Sequence, residues 1–459
     1  MKGHVVIHYQ LEIRRLVRLA FPILLAQIAQ TAMTLVDTIM AGRYSAIDLA
    51  AISVASSFWL PIVLTSQGII MALTPIVAQL NGAQRKAEIP NAVVQGLWLT
   101  GFVLIPAALL LYYSPLLLHW MDVSSVMADK TTRYLHAMLL GLPAYLYYQV
   151  LRNYAEGLSH TIPGMCIGFA GLLLNIPLNY LFIYGKLGFP ELGGVGCGFA
   201  SAGAMWFMAI AMTVYVLKSA QYQECRLFQH MINVQWTSII RIFKLGAPIA
   251  LALFCEVTLF TVVALLLAPL GPEIVASHQV ALNYSSLIFM LPLSLGYAVT
   301  IRVGHTMGEQ QPQQAKVAVF SGLIVGLCIT TLTASATILL RQWIATQYTD
   351  DPSVIALAAH LIIFAAVYQF SDTVQAISSG ALRGFKDTRI IFMITLLAYW
   401  MIGVPTGIVL GLTDWLVPRM GPQGFWIGII LGLTTAATLL AIRLRKTLQK
   451  TLRPLALSQ

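Results

Sequence analysis

The sequence predicts an all-α integral membrane protein in which twelve transmembrane helices form two pseudo-symmetric six-helix lobes. Long apolar runs, a one-sided distribution of Lys and Arg, and an internal repeat lead to this fold class. Of the 459 residues, 58% are hydrophobic and 10% are charged, whereas a soluble domain carries about 25% charged residues. This composition excludes a soluble enzyme, a disordered protein and a nucleic-acid-binding protein.

The apolar runs define the predicted spans, because a membrane-spanning helix needs about 20 predominantly apolar residues. The first run is too long for the core of a signal peptide, so it is interpreted as the first span. Several runs contain proline, which membrane helices tolerate as kinks. The twelve windows are 17–41, 49–79, 92–113, 134–152, 162–184, 195–217, 239–267, 275–301, 314–340, 354–380, 390–412 and 423–442.

The basic residues indicate the orientation of these spans. With both termini on one side, the opposite side carries only six of the 27 Lys and Arg residues: Arg43, Lys130, Arg133, Lys186, Arg341 and Arg419. Lys and Arg are enriched in the cytoplasmic loops of membrane proteins. Both termini are therefore predicted to be cytoplasmic, and the net charge of +10 requires no nucleic-acid partner.

The second half of the chain repeats the first at an offset of 226 residues. The aligned pairs are Pro22 with Pro248, Gly82 with Gly308, and Gly96 with Gly322. Farther along, the offset drifts to 228, where Pro177 aligns with Pro405 and Gly196 with Gly424. Six spans in each half give the repeats the same orientation, with the transport path expected between the halves. The predicted units are an N-terminal lobe 1–218, a cytoplasmic interlobe linker 219–238 and a C-terminal lobe 239–459.

Three acidic residues lie inside predicted spans: Asp37 in the first, Glu256 in the seventh and Asp372 in the tenth. A charge at membrane depth is costly, so its default interpretation is functional. The alternative is a neutral partner on a neighbouring helix that leaves the carboxyl idle. No Lys or Arg lies deep in the same spans, so we expect the acids to bind protons, metal cations or a cationic substrate. Tyr368 lies one turn before Asp372 on the same face, where it either faces a cation or packs.

Other polar residues accompany the acids. Asn175 and Asn179 flank Pro177; they either complete a polar pocket beside Asp37 or bond the backbone that the proline frees. His278 and Gln279 in the eighth span either line a cavity or make ordinary polar contacts.

Motifs of enzyme chemistry are missing from the sequence. H-E-x-x-H, G-x-S-x-G and the P-loop pattern do not occur, so uphill transport must draw on an ion gradient and not on ATP. The cysteines lack disulfide or zinc spacing and are interpreted as ordinary apolar residues: Cys166, Cys197, Cys225, Cys255 and Cys328. We expect no cofactor, with Na+ or H+ as the coupling ion.

Several long strings resemble the multidrug and toxic compound extrusion (MATE) family, in its NorM-type bacterial branch. They include PILLAQIAQTAMTLVDTIMAG around Asp37, NIPLNYLFIYGKLGFPELGGVGCG across the fifth and sixth spans, and GAPIALALFCEVTLF around Glu256. SHQVALNYSS in the eighth span and RGFKDT after the tenth continue the match. The resemblance covers essentially the whole chain. It implies a bacterial inner-membrane antiporter whose two lobes open alternately and export cationic and amphipathic drugs in exchange for Na+ or H+.

The resemblance also implies roles for individual residues. The cation site of the C-terminal lobe is implied at Glu256 and Asp372, as ligands of Na+, with Tyr368 nearby. The acidic site of the N-terminal lobe is implied at Asp37, with Asn175 and Asn179. Asn175, Asn179 and Gln279 are implied to line the substrate cavity, and the loop acid Asp351 is implied to lie near the drug path. Ser201 departs from the family pattern, because relatives often have threonine there.

Other functions fit the same spans. An exporter coupled only to H+ is one alternative, and a flippase for lipid-linked precursors is another, although a flippase usually needs a more basic cavity. A channel would be favoured if flux were independent of an opposing ion gradient. The expected partners are small organic cations and the lipid bilayer, and the expected state is a monomer.

Overall fold

The computed structural model describes residues 2–120, 124–223, 227 and 233–456, and these residues include no β-strand. A π-helical turn, Leu397–Gly403, joins α12 to α13. The helices are α1 Lys2–Tyr44, α2 Ala46–Ile70, α3 Leu73–Gly82, α4 Ile89–Tyr113, α5 Ser125–Gly157, α6 Ile162–Tyr184, α7 Gly194–Lys218, α8 Trp236–Leu267, α9 Pro272–Gly308, α10 Pro312–Thr346, α11 Pro352–Gly384, α12 Thr388–Leu396, α13 Val404–Leu412 and α14 Pro422–Ala456.

Eleven helical segments in the described part of the chain are long and apolar enough to cross a membrane. They coincide with every predicted span except the fourth, whose place α5 occupies. This helix has 33 residues, but it is more polar because it carries Lys130 and Arg133 near its start and Gln149 and Arg152 near its end. Long helices therefore stand at all twelve predicted places, which confirms the fold class.

Proline and glycine mark several helix boundaries. Proline is tolerated in a first helical turn because the N–H at that position has no intrahelical acceptor. At the other end, α6 stops at Gly185, whose φ of 62° lies in the left-handed region. The prolines in first turns include Pro163, Pro272, Pro312, Pro352 and Pro422.

The chain divides into two compact units, one made of Pro22–Ala250 and the other of Met1–Phe21 with Leu251–Gln459. Both boundaries fall inside helices, next to Pro22 in α1 and close to Pro248 in α8. The first segment of each helix thus belongs to the unit built by the other half of the sequence. Residues 224–226 and 228–232 of the predicted linker, which include Cys225, lie outside the described residues.

Each unit is organised around one central helix. In the first of them, α5 packs against α2, α4 and α7; in the other, α11 packs against α9, α10 and α14. The central position explains why α5 tolerates polar residues near its end, where Gln149 and Arg152 are buried inside the unit.

Equivalent glycines of the two halves make equivalent contacts. A Cβ atom on Gly157 would lie 2.7 Å from the Cβ of Val77, and one on Gly384 would lie 2.8 Å from the Cβ of Val303. The two valines are 226 positions apart and the two glycines 227. The central helix of each unit therefore approaches its neighbour through the same glycine.

The loops before α7 and α14 repeat as well. The backbone N–H of Leu192 donates to the carbonyl of Phe182 (N···O 3.1 Å), and that of Met420 donates to the carbonyl of Leu410 (3.0 Å). Both pairs are related by an offset of 228. The later offset predicted from the sequence thus describes a real structural equivalence.

Candidate functional site

The Asp37 carboxylate lies buried between three helices of its unit and accepts hydrogen bonds on both oxygens. Asn179 Nδ2 donates to Oδ1 at 2.6 Å, and Ser201 Oγ donates to Oδ2 at 2.5 Å. Asn179 also donates to Asn175 Oδ1 at 2.8 Å, and Asn175 Nδ2 donates to Ser201 Oγ at 3.3 Å. The structure therefore brings together Asp37, Asn175 and Asn179, and Ser201 supplies the hydroxyl.

Local sequence explains this arrangement. Asn175 and Asn179 are four residues apart on α6 and therefore share a face. Of the two interpretations left open for them, the structure favours the polar cluster, since both amides reach it. Asn179 Oδ1 is buried without a hydrogen-bond partner among the described residues. All of the described donors to the Asp37 side chain are neutral, so the negative charge of Asp37 can be neutralised by a proton or by an external cation.

Glu256 of α8 and Asp372 of α11 lie within electrostatic range of each other in the second unit. Tyr368 is buried on the same helix as Asp372 and feels both charges. Across the described ranges, neither carboxylate accepts a hydrogen bond or forms an ion pair. Asp372 is buried and Glu256 is half-buried. Two like charges held close together in such surroundings favour uptake of a cation or a proton.

One basic side chain acts on these acids from outside the predicted spans. The Arg383 guanidinium interacts electrostatically with Glu256. Arg383 is buried toward the end of α11, where its long side chain lies 5.5 Å from the centre of the Tyr297 ring. Arg383 thus moderates the negative field without forming an ion pair with Glu256.

The aromatic side chain of Tyr368 packs against a partner that sequence reasoning missed. Its ring centre lies 5.9 Å from that of Trp426, which in turn lies 5.9 Å from the ring of His278. His278 is fully buried, and neither of its ring nitrogens has a hydrogen-bond partner in the described part of the chain. Packing therefore fixes the ring of Tyr368.

The two remaining predicted site residues lie at exposed positions. Gln279 follows His278 on α9 and is exposed. Asp351 caps the start of α11, and hydrogen bonds from Ser353 Oγ (2.7 Å) and the Ser353 backbone N–H (2.9 Å) hold the pKa of this carboxyl below its usual value. Since a helix rises 1.5 Å per residue, Asp351 lies roughly 30 Å along α11 from Asp372. The structure does not bring Asp351 together with the acid pair.

Three further acids are buried, and each pairs with a basic side chain. Their burial distinguishes structural acids from the candidate site, because a buried charge normally requires a partner. Sequence position alone gave no signal for them, since all three fall outside the predicted spans. The pairs are Glu12 with Arg302, Asp48 with Lys130, and Glu156 with Arg152.

A resident metal centre is not seen in the described residues, where no three His, Cys, Asp or Glu side chains come together. A metal cation between Glu256 and Asp372 would have to complete its shell with neutral oxygen atoms. The described cysteines are unpaired, with Cys197 and Cys255 buried and Cys166 and Cys328 exposed.

Comparisons with known proteins agree with the architecture. The MatE family model matches residues 22–181 and 248–409. The chain is 54% identical to the multidrug resistance protein NorM of Photobacterium profundum over 438 residues, which cover 95% of this chain and 96% of the relative. It is 52% identical to the multidrug resistance protein MdtK of Yersinia pseudotuberculosis, with the same coverage.

Solved structures share the fold at low sequence identity. The eukaryotic MATE transporter AtDTX14 superposes with a TM-score of 0.88 at 21% identity, over 97% of this chain and 99% of that one. An outward-facing MATE family transporter gives a TM-score of 0.87 at 19% identity, over 96% and 97%.

Proposed function

The chain belongs to the MatE family, and on this premise we propose that it is a multidrug exporter that exchanges cationic and amphipathic drugs for Na+ or H+. The observation that carries the proposal is a pair of buried acidic sites, one in each unit, without an ion-paired Lys or Arg among the described residues. The names of its relatives, both multidrug resistance proteins at more than 50% identity, support the substrate class.

In the proposed exchange at the Asp37 site, hydrogen bonds from neighbouring side chains keep the carboxylate in position. Ser201 and Asn179 hold the carboxylate, so it does not have to search for an orientation when a cation or proton leaves. When an external positive charge binds, the cost of keeping the carboxylate in an apolar surrounding falls. A drug cation and a coupling ion therefore compete for the same negative charge.

The Glu256–Asp372 site exchanges its ligand through like-charge repulsion. Each carboxylate raises the free energy of the other in its charged form. A proton or Na+ relieves this repulsion, and its release restores the repulsion. In the proposed cycle the two lobes open alternately to either side of the membrane, and occupancy of the acids biases which side is open.

The spans and the charge distribution support a membrane setting. We place the protein in the inner membrane of a bacterium, with both termini in the cytoplasm, acting as a monomer and without ATP hydrolysis. The lack of an ion-paired cation at the buried acids favours an exporter of cations over a flippase of anionic lipid precursors, which requires basic groups along its path.

The test is drug efflux from proteoliposomes on which Na+ and pH gradients are imposed separately. We expect at least one gradient to drive efflux, and we expect Asp37→Asn, Glu256→Gln and Asp372→Asn to abolish the driven component. Asp129→Asn is the matched control, because this carboxylate is exposed and pairs with Arg133 on the surface. Efflux that neither gradient drives would refute the antiporter, and efflux driven only by pH would select the H+-coupled alternative.

A further inference from the structure

The helix of the eleventh span contains a turn that its counterpart lacks. Residues Leu397–Gly403 form a π-helix between α12 and α13, whereas the equivalent helix α6 is α-helical from Ile162 to Tyr184. A π-turn accommodates one extra residue in an α-helix, and such turns occur frequently at functional sites.

The internal repeat identifies this turn as a one-residue insertion. Before it, Gly157 and Gly384 make equivalent contacts at an offset of 227. After it, Phe182 and Leu410 accept equivalent backbone hydrogen bonds at an offset of 228. The offset thus grows by one residue across the segment that contains the π-turn.

The π-turn adjoins the acid pair of its unit. Trp400 Nε1 donates to the carbonyl of Cys255 at 3.3 Å, which joins the turn to the residue before Glu256. Tyr399, the neighbouring residue of the turn, is fully buried and lies in the field of Glu256 and Asp372. No close hydrogen bond to its hydroxyl is seen within the described ranges, and the hydroxyl interacts with the Gln375 side chain.

A second neutral oxygen lies beside this hydroxyl. Gln375 follows Asp372 by three residues on α11, and its side chain neighbours Tyr399. This contact leaves both the Gln375 Oε1 atom and the Tyr399 hydroxyl oxygen without a close donor among the described residues. Buried polar atoms without partners are rare and costly in proteins. Here two of them adjoin two carboxylates, and hard cations prefer oxygen ligands.

We propose that the inserted residue of the eleventh span brings the Tyr399 hydroxyl to the acid pair, where this oxygen and Gln375 Oε1 serve as neutral ligands for Na+. The inference rests on the proposed function and deepens it by naming the ion and two further ligands of the C-terminal site. It also explains the difference between the halves, since the N-terminal half has the regular helix and its acid is held by hydrogen-bond donors.

The test measures Na+ binding to the purified full-length protein by titration calorimetry, together with the Na+ dependence of drug efflux. Tyr399→Phe removes only the hydroxyl, and Gln375→Leu removes only the amide. Loss of one ligand to a charged partner is expected to raise the half-saturating Na+ concentration about tenfold.

Two controls make the result specific. Tyr148→Phe removes the hydroxyl of an equally buried tyrosine in the other unit, where it donates to the Gly164 carbonyl, and should leave the half-saturating Na+ concentration unchanged. Asp372→Asn should abolish Na+ binding. If Tyr399→Phe also leaves the half-saturating concentration unchanged, the inference is wrong. Absence of Na+ binding in the unmodified protein would overturn it too, while efflux driven by a pH gradient would leave the proposed antiport intact.

Discussion

Arg302 of α9 donates two hydrogen bonds to the Glu12 carboxylate of α1, at 2.6 and 2.9 Å, across 290 positions of the sequence. Both residues belong to the same compact unit, which Glu12 enters through the first segment of α1. The bidentate geometry fixes the direction of this segment. Glu12 is thus a structural acid with a basic partner, whereas no described Lys or Arg forms an ion pair with Asp37, Glu256 or Asp372.

We expect Arg302→Met to destabilise the protein, because Glu12 would be left buried without its main partner. Removing one member of a buried ion pair typically costs about 3–5 kcal/mol. Thermal unfolding in detergent, followed by intrinsic fluorescence, measures the effect. The double variant Glu12→Gln with Arg302→Met should recover part of the loss, and a melting temperature equal to that of the unmodified protein in the single variant would contradict the assignment.

Ser201→Ala should weaken ion-coupled efflux, because Asp37 loses the hydroxyl that bonds Oδ2. Removal of a hydrogen bond to a charged group predicts a loss of about tenfold or more in the efflux rate at limiting ion. Ser201→Thr keeps the hydroxyl and should retain the activity. Ser66→Ala is the matched control in the same unit, because the one hydrogen bond of the Ser66 hydroxyl to a described residue goes to the Ile62 carbonyl of its own helix. Equal efflux by Ser201→Ala and Ser66→Ala would exclude a role for the Ser201 hydroxyl.

Gly384→Ala should destabilise the second unit, since the added Cβ would come within 2.8 Å of Val303. Overpacking of this kind costs about 1–3 kcal/mol. Adding Val303→Ala removes the Cγ1 contact at 2.8 Å but keeps the Cβ atom, so it should restore the melting temperature only in part. The equivalent variants Gly157→Ala and Val77→Ala should behave in the same way, and a rescue in one half only would show that the repeat does not extend to packing.

Asp351→Asn tests the proposed contribution of this loop acid to drug binding. The substitution keeps a good helix cap, and Asp351 lies roughly 30 Å along α11 from Asp372, so stability and the half-saturating Na+ concentration should be unchanged. The pKa of Asp351 is lowered by its Ser353 hydrogen bonds, so the carboxylate is charged throughout the neutral range. We expect the variant to bind cationic drugs more weakly than the unmodified protein does, and neutral drugs equally well, as measured by ligand titration. If the variant binds both kinds of drug as tightly as the unmodified protein, Asp351 does not contribute to drug binding.

Local chemistry in the sequence determined much of this protein. Apolar length predicted the places of twelve long helices, and the cost of charge inside a membrane singled out Asp37, Glu256 and Asp372. Aligned prolines and glycines revealed the repeat and its offsets, because other residue types rarely adopt the backbone conformations and close approaches that these two residues allow. The i,i+4 spacing of Asn175 and Asn179 indicated a shared face. Each of these properties depends on neighbouring residues along one helix, so it can be interpreted without a fold.

Only the tertiary structure decided which acids have partners and which side chains complete the sites. Asp48 is as deeply buried as Asp37, yet Lys130 of another helix pairs with it. Tyr399 resembles any other aromatic residue in the sequence. It interacts electrostatically with Glu256 because it belongs to a π-turn whose next residue, Trp400, bonds the Cys255 carbonyl 145 positions away. The reason is physical: the free energy of a buried polar group is set by what surrounds it in space, and those neighbours come from distant parts of the chain.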